Sequence, residues 1–244
     1  IRISEKLGFE LATDLSETIR EMAYFIQDVS PARLFEESLK MFMGGYGVRI
    51  FLKLKELYVL KWIFPSNDSS VTAYNLELLI TKALESTDNR VLRNLPITPA
   101  FIYASILWYP FLSERSRNIK ELGLNNYDAS TEAASSVLSK QQIITSIPRR
   151  FSTPIKEIWF LQFRLNSRFG KKPFRTSQHK RFRAAYDFLL IREAAGEKTR
   201  DSGNWWTNYQ AASEEERLTM QTPPRKKNLS GRVRKSIGKK GNEK

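Results

Sequence analysis

The chain is predicted to be all-α, a compact, irregular helical array that ends in a disordered basic tail. Three observations carry this. Apolar residues recur at helical spacing almost throughout, and no stretch keeps the alternation of a half-buried strand. From Thr222 to Lys244 large apolar side chains nearly vanish while lysine and arginine accumulate, so that stretch cannot bury enough surface to offset its ordering entropy.

The first residues, with Ile1, Ile3, Leu7 and Phe9 but no capping residue, read as the end of an element that begins upstream. A helix is expected at about 15–27. Ser30-Pro31 opens the next as N-cap and first-turn proline. Leu34, Phe35, Ser38, Leu39 and Phe42 share its inner face, Arg33/Glu37 and Glu36/Lys40 pair at i,i+4 on the outer one, and Gly44-Gly45 stops it. A helix from about Tyr46 to Pro65 turns Ile50, Phe51, Leu54 and Leu57 inward. Further helices are expected at about 71–86, 98–113, 127–145, 153–168, 178–195 and 203–217. Short turns fall at Pro65–Ser70, Asn94–Pro99, Gly123–Asn126 and Gly170–Pro173.

Much chemistry is excluded by what is missing. There is no cysteine, hence no disulfide and no thiolate metal site, which fits a reducing compartment and an expected cytoplasmic location. The one histidine, His179, has no partner with which to build a zinc site and reads as a solvated surface residue. Metal-assisted nucleotidyl transfer needs two carboxylates close enough to share cations. The aspartates at 14, 28, 68, 88, 128, 187 and 201 never come within ten residues of one another. No glycine-rich phosphate loop follows a strand, and Gly44-Gly45-Tyr46-Gly47 reads as a helix stop. No apolar run reaches the roughly 18 residues of a membrane span, so no membrane partner is expected. The chain opens on Ile1 rather than Met, as a fragment or processed product would.

What is present is concentrated positive charge. The net charge is +14, but 149–183 holds eleven basic residues against Glu157 alone, and 223–244 holds nine against Glu243. Charge confined in this way marks a polyanion binder, with a merely solubilising surface as the competing reading. On a helical wheel Ile155, Ile158, Trp159 and Phe163 face inward, while Lys156, Arg164 and Arg168 face outward around Phe160. Cations for phosphates and a ring for base stacking suit single-stranded RNA, although Phe160 reads more readily as a packing contact with a neighbouring helix, so the basic residues carry the reading. Arg149, Arg150, Arg175, Lys180 and Arg183 extend the face, Lys171 and Lys172 project from a loop, and Arg183/Asp187 is a possible i,i+4 pair. Phe182, Ala185, Tyr186 and Leu189 form a core stripe between them. Trp205-Trp206 is either a stacking platform or a cover for apolar surface. The tail cations Arg225, Lys226, Lys227, Arg232, Arg234 and Lys235 suit loose, salt-sensitive phosphate contact.

Several strings then point to one family. Ile1–Phe9, Ser30–Leu39 (SPARLFEESL), Gly44–Gly47, Lys180–Leu190 (KRFRAAYDFLL), Trp205-Trp206 and the basic tail together resemble the poly(A) polymerase and CCA-adding nucleotidyltransferase superfamily, and within it the bacterial poly(A) polymerases. The resemblance implies adenylate addition from ATP to RNA 3′ ends, which marks transcripts for decay. It implies the end of a neck and an RNA-binding region over 1–65, a helical body over 66–221 and a basic tail over 222–244. Both catalytic carboxylates and the base-recognition motif would lie upstream of Ile1. Arg2 neighbours that motif and is assigned no nucleotide contact. Mg and ATP are therefore implied for the intact enzyme and no cofactor for this chain, which is expected to be inactive alone. The implied partners are single-stranded RNA 3′ ends and a DEAD-box RNA helicase or other RNA-decay proteins, with the chain itself monomeric. The corresponding part of a CCA-adding enzyme, or a free-standing helical RNA-binding adaptor, are the alternatives.

Overall fold

A computed structural model of the chain describes residues 1–65 and 73–222, and among these residues every regular element is helical. Residues 66–70 of the predicted Pro65–Ser70 turn, 71–72 of the predicted 71–86 helix and 223–244 of the basic tail lie outside the described residues. In chain order the helices are α1 (Arg2–Leu7), α2 (Thr13–Met22), α3 (Pro31–Phe42), α4 (Gly47–Glu56), α5 (Leu60–Ile63), α6 (Ala73–Leu92) and α7 (Pro99–Ile106). They continue as α8 (Trp108–Leu122), α9 (Asn126–Ile144), α10 (Arg149–Leu165), α11 (Lys172–Ser177), α12 (Phe182–Ala194), α13 (Ser202–Ala211) and α14 (Glu214–Met220). A 3₁₀ segment, Ala23–Asp28, follows α2 and takes the second half of the predicted 15–27 helix.

Several boundaries depart from the sequence reading: α6 runs on to Leu92, the helix expected at 203–217 divides into α13 and α14, and three others depart for local reasons. Tyr58 adopts φ 57°, so the helix expected to run to Pro65 divides into α4 and α5. Pro110 lacks an N–H and its ring crowds the carbonyl four residues back, that of Ile106, where α7 ends and α8 takes over. Pro154 suggests a helix start, yet α10 begins at Arg149 and tolerates the proline one turn in. At α3, Pro31 occupies the first turn but the Ser30 side chain makes no capping bond. Lys40 pairs with Glu37 at 2.8 Å rather than with Glu36, and Glu37 also takes Arg2 at 3.6 Å.

The main core lies where α10 crosses α7 and α12 packs on both, with α6 alongside. Phe111 stacks on Trp159 at 4.6 Å, and Trp108 meets Phe188 edge-on at 5.3 Å. The buried indole N–H groups are satisfied: Trp159 donates to the Ala104 carbonyl (2.9 Å) and Trp108 to Glu197 (2.9 Å). A second cluster joins the end of α10 to α12 and α13 through Leu161, Leu165, Phe182, Tyr186, Leu189 and Trp206. Both clusters bear directly on the basic face, because α10 and α12 supply the core on one side and the cations on the other.

Candidate nucleic-acid interface

The predicted apolar faces of α10 and α12 are buried, with Ile155, Ile158, Trp159, Phe182, Ala185, Tyr186 and Leu189 all inside. Phe163 is half-buried beneath the Arg115 guanidinium. Burying that stripe leaves the intervening basic residues no direction but outward. The structure then separates them by partner.

Arg149, Arg150, Arg164, Lys171, Lys172 and Arg175 are exposed, and none forms an ion pair among the described residues. Arg150 lies 5.0 Å from the Phe151 ring. The other predicted contacts are already engaged. Lys156 donates to the Ser135 hydroxyl at 3.0 Å. Lys180 and Arg181 both hold Glu157 at 3.1 Å. Arg183 pairs with Asp187 at 3.0 Å, as the i,i+4 spacing suggested.

Arg168 is engaged with the protein itself. It lies beyond the end of α10, where its guanidinium donates to the Arg200 carbonyl and, at 3.1 Å, to the Ser202 hydroxyl. It ties the α12–α13 connection to the end of α10. The Gly170–Pro173 loop is also shorter than expected, because Lys172 already begins α11 and the Gly170 N–H donates to the Gln221 carbonyl at 2.9 Å.

The aromatic candidates change as well. Phe160 is half-buried and packs against the main core, and Trp206 is fully buried with its N–H on the Leu165 carbonyl at 2.8 Å. Trp205 stacks on Tyr209 at 5.0 Å as part of the second cluster. The rings exposed beside the unpaired cations are Phe169, at 48%, and Phe174, at 57%. The string Phe169-Gly170-Lys171-Lys172-Pro173-Phe174-Arg175 interleaves rings with cations, and that pattern was the available signal. Arg90 had no such signal. It lies far away in sequence, yet the fold brings it to 3.8 Å from Asp187, beside Arg183.

His179 is half-buried rather than solvated, and its Nδ1 accepts the Arg181 N–H at 3.1 Å. Burial lowers its pKa; Glu157 opposes this, and Arg164, Lys180 and Arg181 add to it. Glu157 is held below the usual carboxylate range because its bonds to Lys180 and Arg181 outweigh its desolvation. Among the described residues no three His, Cys, Asp or Glu side chains come together as metal donors. Among the described residues no helix is long and apolar enough to cross a membrane.

Two family models match the chain. Residues 8–70 match one described as the probable RNA and SrmB-binding site of polymerase A, and residues 122–240 match the polymerase A arginine-rich C-terminus. The unpaired cations and exposed rings lie in the second stretch. The chain is 39% identical to poly(A) polymerase I of Haemophilus influenzae over 89% of its length and 49% of that relative's. It is 33% identical to that of Salmonella typhi over 90% of the chain and 48% of the relative. For Escherichia coli O157:H7 the figures are 34%, 87% and 47%. The chain thus spans about half the length of the curated relatives it matches.

Proposed function

The chain belongs to the bacterial poly(A) polymerase family, as the part that carries its RNA-binding and arginine-rich C-terminal regions, and from that premise we propose that it holds the RNA strand for 3′ adenylate addition. The observation that carries this reading is the Phe169–Arg175 segment. It exposes two rings together with Lys171, Lys172 and Arg175, and Arg164 lies unpaired on the preceding helix. Unpaired cations release counterions when they meet phosphates, and each ring offers a face to any base, so the pairing suits single strands of varied sequence.

Adenylate addition requires Mg and ATP, which in this reading are held by the rest of the whole protein. Glu157 and Asp187, the acids nearest the basic face, are each held by two cations. In this reading the chain contributes grip, and adenylyl transfer belongs to the half of the relatives without a counterpart here. The first matched stretch exposes Leu15, Met22, Tyr24 and Phe25, which suits a protein partner such as the helicase its description names. Such work on transcripts would place the protein in the cytoplasm.

Fluorescence anisotropy with a single-stranded oligoadenylate tests the reading. The wild-type affinity is expected to fall with salt at about −0.7 in log–log slope per phosphate contact. Replacing Lys171, Lys172 and Arg175 together by Ala should weaken binding at least about tenfold and flatten that slope by roughly 2. Salt-independent binding, or a triple variant that binds as tightly as the wild type, overturns it.

A further inference from the structure

A cleft of about 210 Å³ opens between α6, the connection to α7, and the start of α12. Its α6 and α7 wall lies between the two matched stretches, outside both. From the geometry, and resting on the RNA-holding reading above, we infer that this cleft takes one nucleotide of the bound strand, base inward and phosphate at the rim.

Two kinds of wall support the assignment. Phe101 and Ile97 give the cleft an apolar side, with Phe101 held edge-on to Phe188 at 6.2 Å. Ser86 and Thr98 place hydroxyls beside them for the polar edge of a base. The cleft is also lined by Arg90, on the same helix as Ser86, and by Lys180, Arg181 and Arg183 around the start of α12. These four cations share only two acids: Asp187 lies between Arg90 (3.8 Å) and Arg183 (3.0 Å), and Glu157 between Lys180 and Arg181 (both 3.1 Å). The rim therefore keeps two positive charges uncompensated. The Lys180 and Arg183 side chains are 67% and 72% exposed, and ion pairs at that exposure are weak, so these cations can turn to a phosphate at little cost. The volume falls short of the roughly 300 Å³ at which sites for larger ligands begin, and it suits a single base.

The test is photo-crosslinking of the full chain to an oligoadenylate that carries one 8-azidoadenosine, with adducts mapped by mass spectrometry. Adducts on Phe101 or within 180–187 are expected. Ser86→Leu fills the cleft without touching a charge; it should remove those adducts and weaken oligoadenylate binding about tenfold, in keeping with the loss of one stacked base, while the melting curve holds. Lys171, Lys172 and Arg175 changed together to Ala should leave cleft adducts at raised RNA concentration. Tight RNA binding without cleft adducts overturns the cleft and leaves the RNA reading standing. Absence of RNA binding by the wild type removes both. If AMP alone protects the cleft as well as the strand does, the site serves free nucleotides and its place on the RNA path is wrong; inorganic phosphate should not protect it.

Discussion

Arg164 and Arg168 stand one helical turn apart in sequence and do different things. Arg164 is exposed with no acid beside it, whereas Arg168 reaches the Arg200 carbonyl and the Ser202 hydroxyl. Removing Arg168 takes away both of these bonds, although the Ser202 hydroxyl keeps its own bond to the Thr199 carbonyl at 2.7 Å. Arg168→Ala should therefore lower unfolding stability by about 1–2 kcal/mol, while Arg164→Ala leaves the denaturation midpoint alone and weakens RNA binding. Equal effects of the two changes on stability would refute the distinction. His179 supplies a pH prediction. Burial chiefly pushes its folded pKa below the ordinary histidine value of about 6.5, so the unfolded chain binds the proton more readily. Its contribution is present above 6.5 and is lost as pH falls through the folded value. Melting temperature should decline on acidification from about pH 6.5, and His179→Gln should flatten that decline. What was legible here has a physical limit: Arg183/Asp187 could be read because i,i+4 neighbours meet on any helix, but Glu157 meets Arg181 only after α10 and the start of α12 pack together.

The helical elements themselves were largely legible, because a buried stripe must repeat every three or four residues whatever it packs against. Ile50, Phe51, Leu54 and Leu57 are all buried as their spacing required. The breaks were less so, since a positive φ at Tyr58 reflects the path the chain must take into α5 rather than any preference of tyrosine. The start of α4 depends on another element entirely. Asp88, on α6, accepts the Gly47 and Val48 N–H groups at 2.8 and 3.1 Å, so a distant carboxylate caps α4 where its own sequence offers no cap. The Gly44–Gly47 string is thus a joint between α3 and α4, turned by Gly45 at φ 86°, and clamped by Asp88. Asp88→Ala should cost about 1–2 kcal/mol in denaturant unfolding. Asp88→Asn, which keeps one acceptor, should cost less; if both variants melt like the wild type, the clamp contributes nothing to stability.

At the scale of the whole molecule the charge is divided between a folded face and a tail. The 149–183 segment carries +10 and 223–244 carries +8, leaving −4 on the rest, where cations such as Lys53, Lys55, Lys82 and Arg117 mostly face acids. This division makes the two contributions separable. The tail holds almost no large apolar residue, so ending the chain at Thr222 should leave the helical circular-dichroism signal per residue of 1–222 and its melting temperature in place. RNA affinity should fall, and the salt dependence should flatten by about 0.7 for each phosphate the tail had engaged. The two basic regions also differ in what they can select. The tail offers charge without rings in its basic stretch, so it should bind any polyanion, heparin included. The folded face sets Phe169 and Phe174 beside its cations and should prefer single strands over duplex. Truncation is therefore expected to weaken binding to both forms while widening the preference for single-stranded over double-stranded RNA. If the preference instead vanishes with the tail, selectivity lies in 223–244, and the rings of the folded face take no part in it.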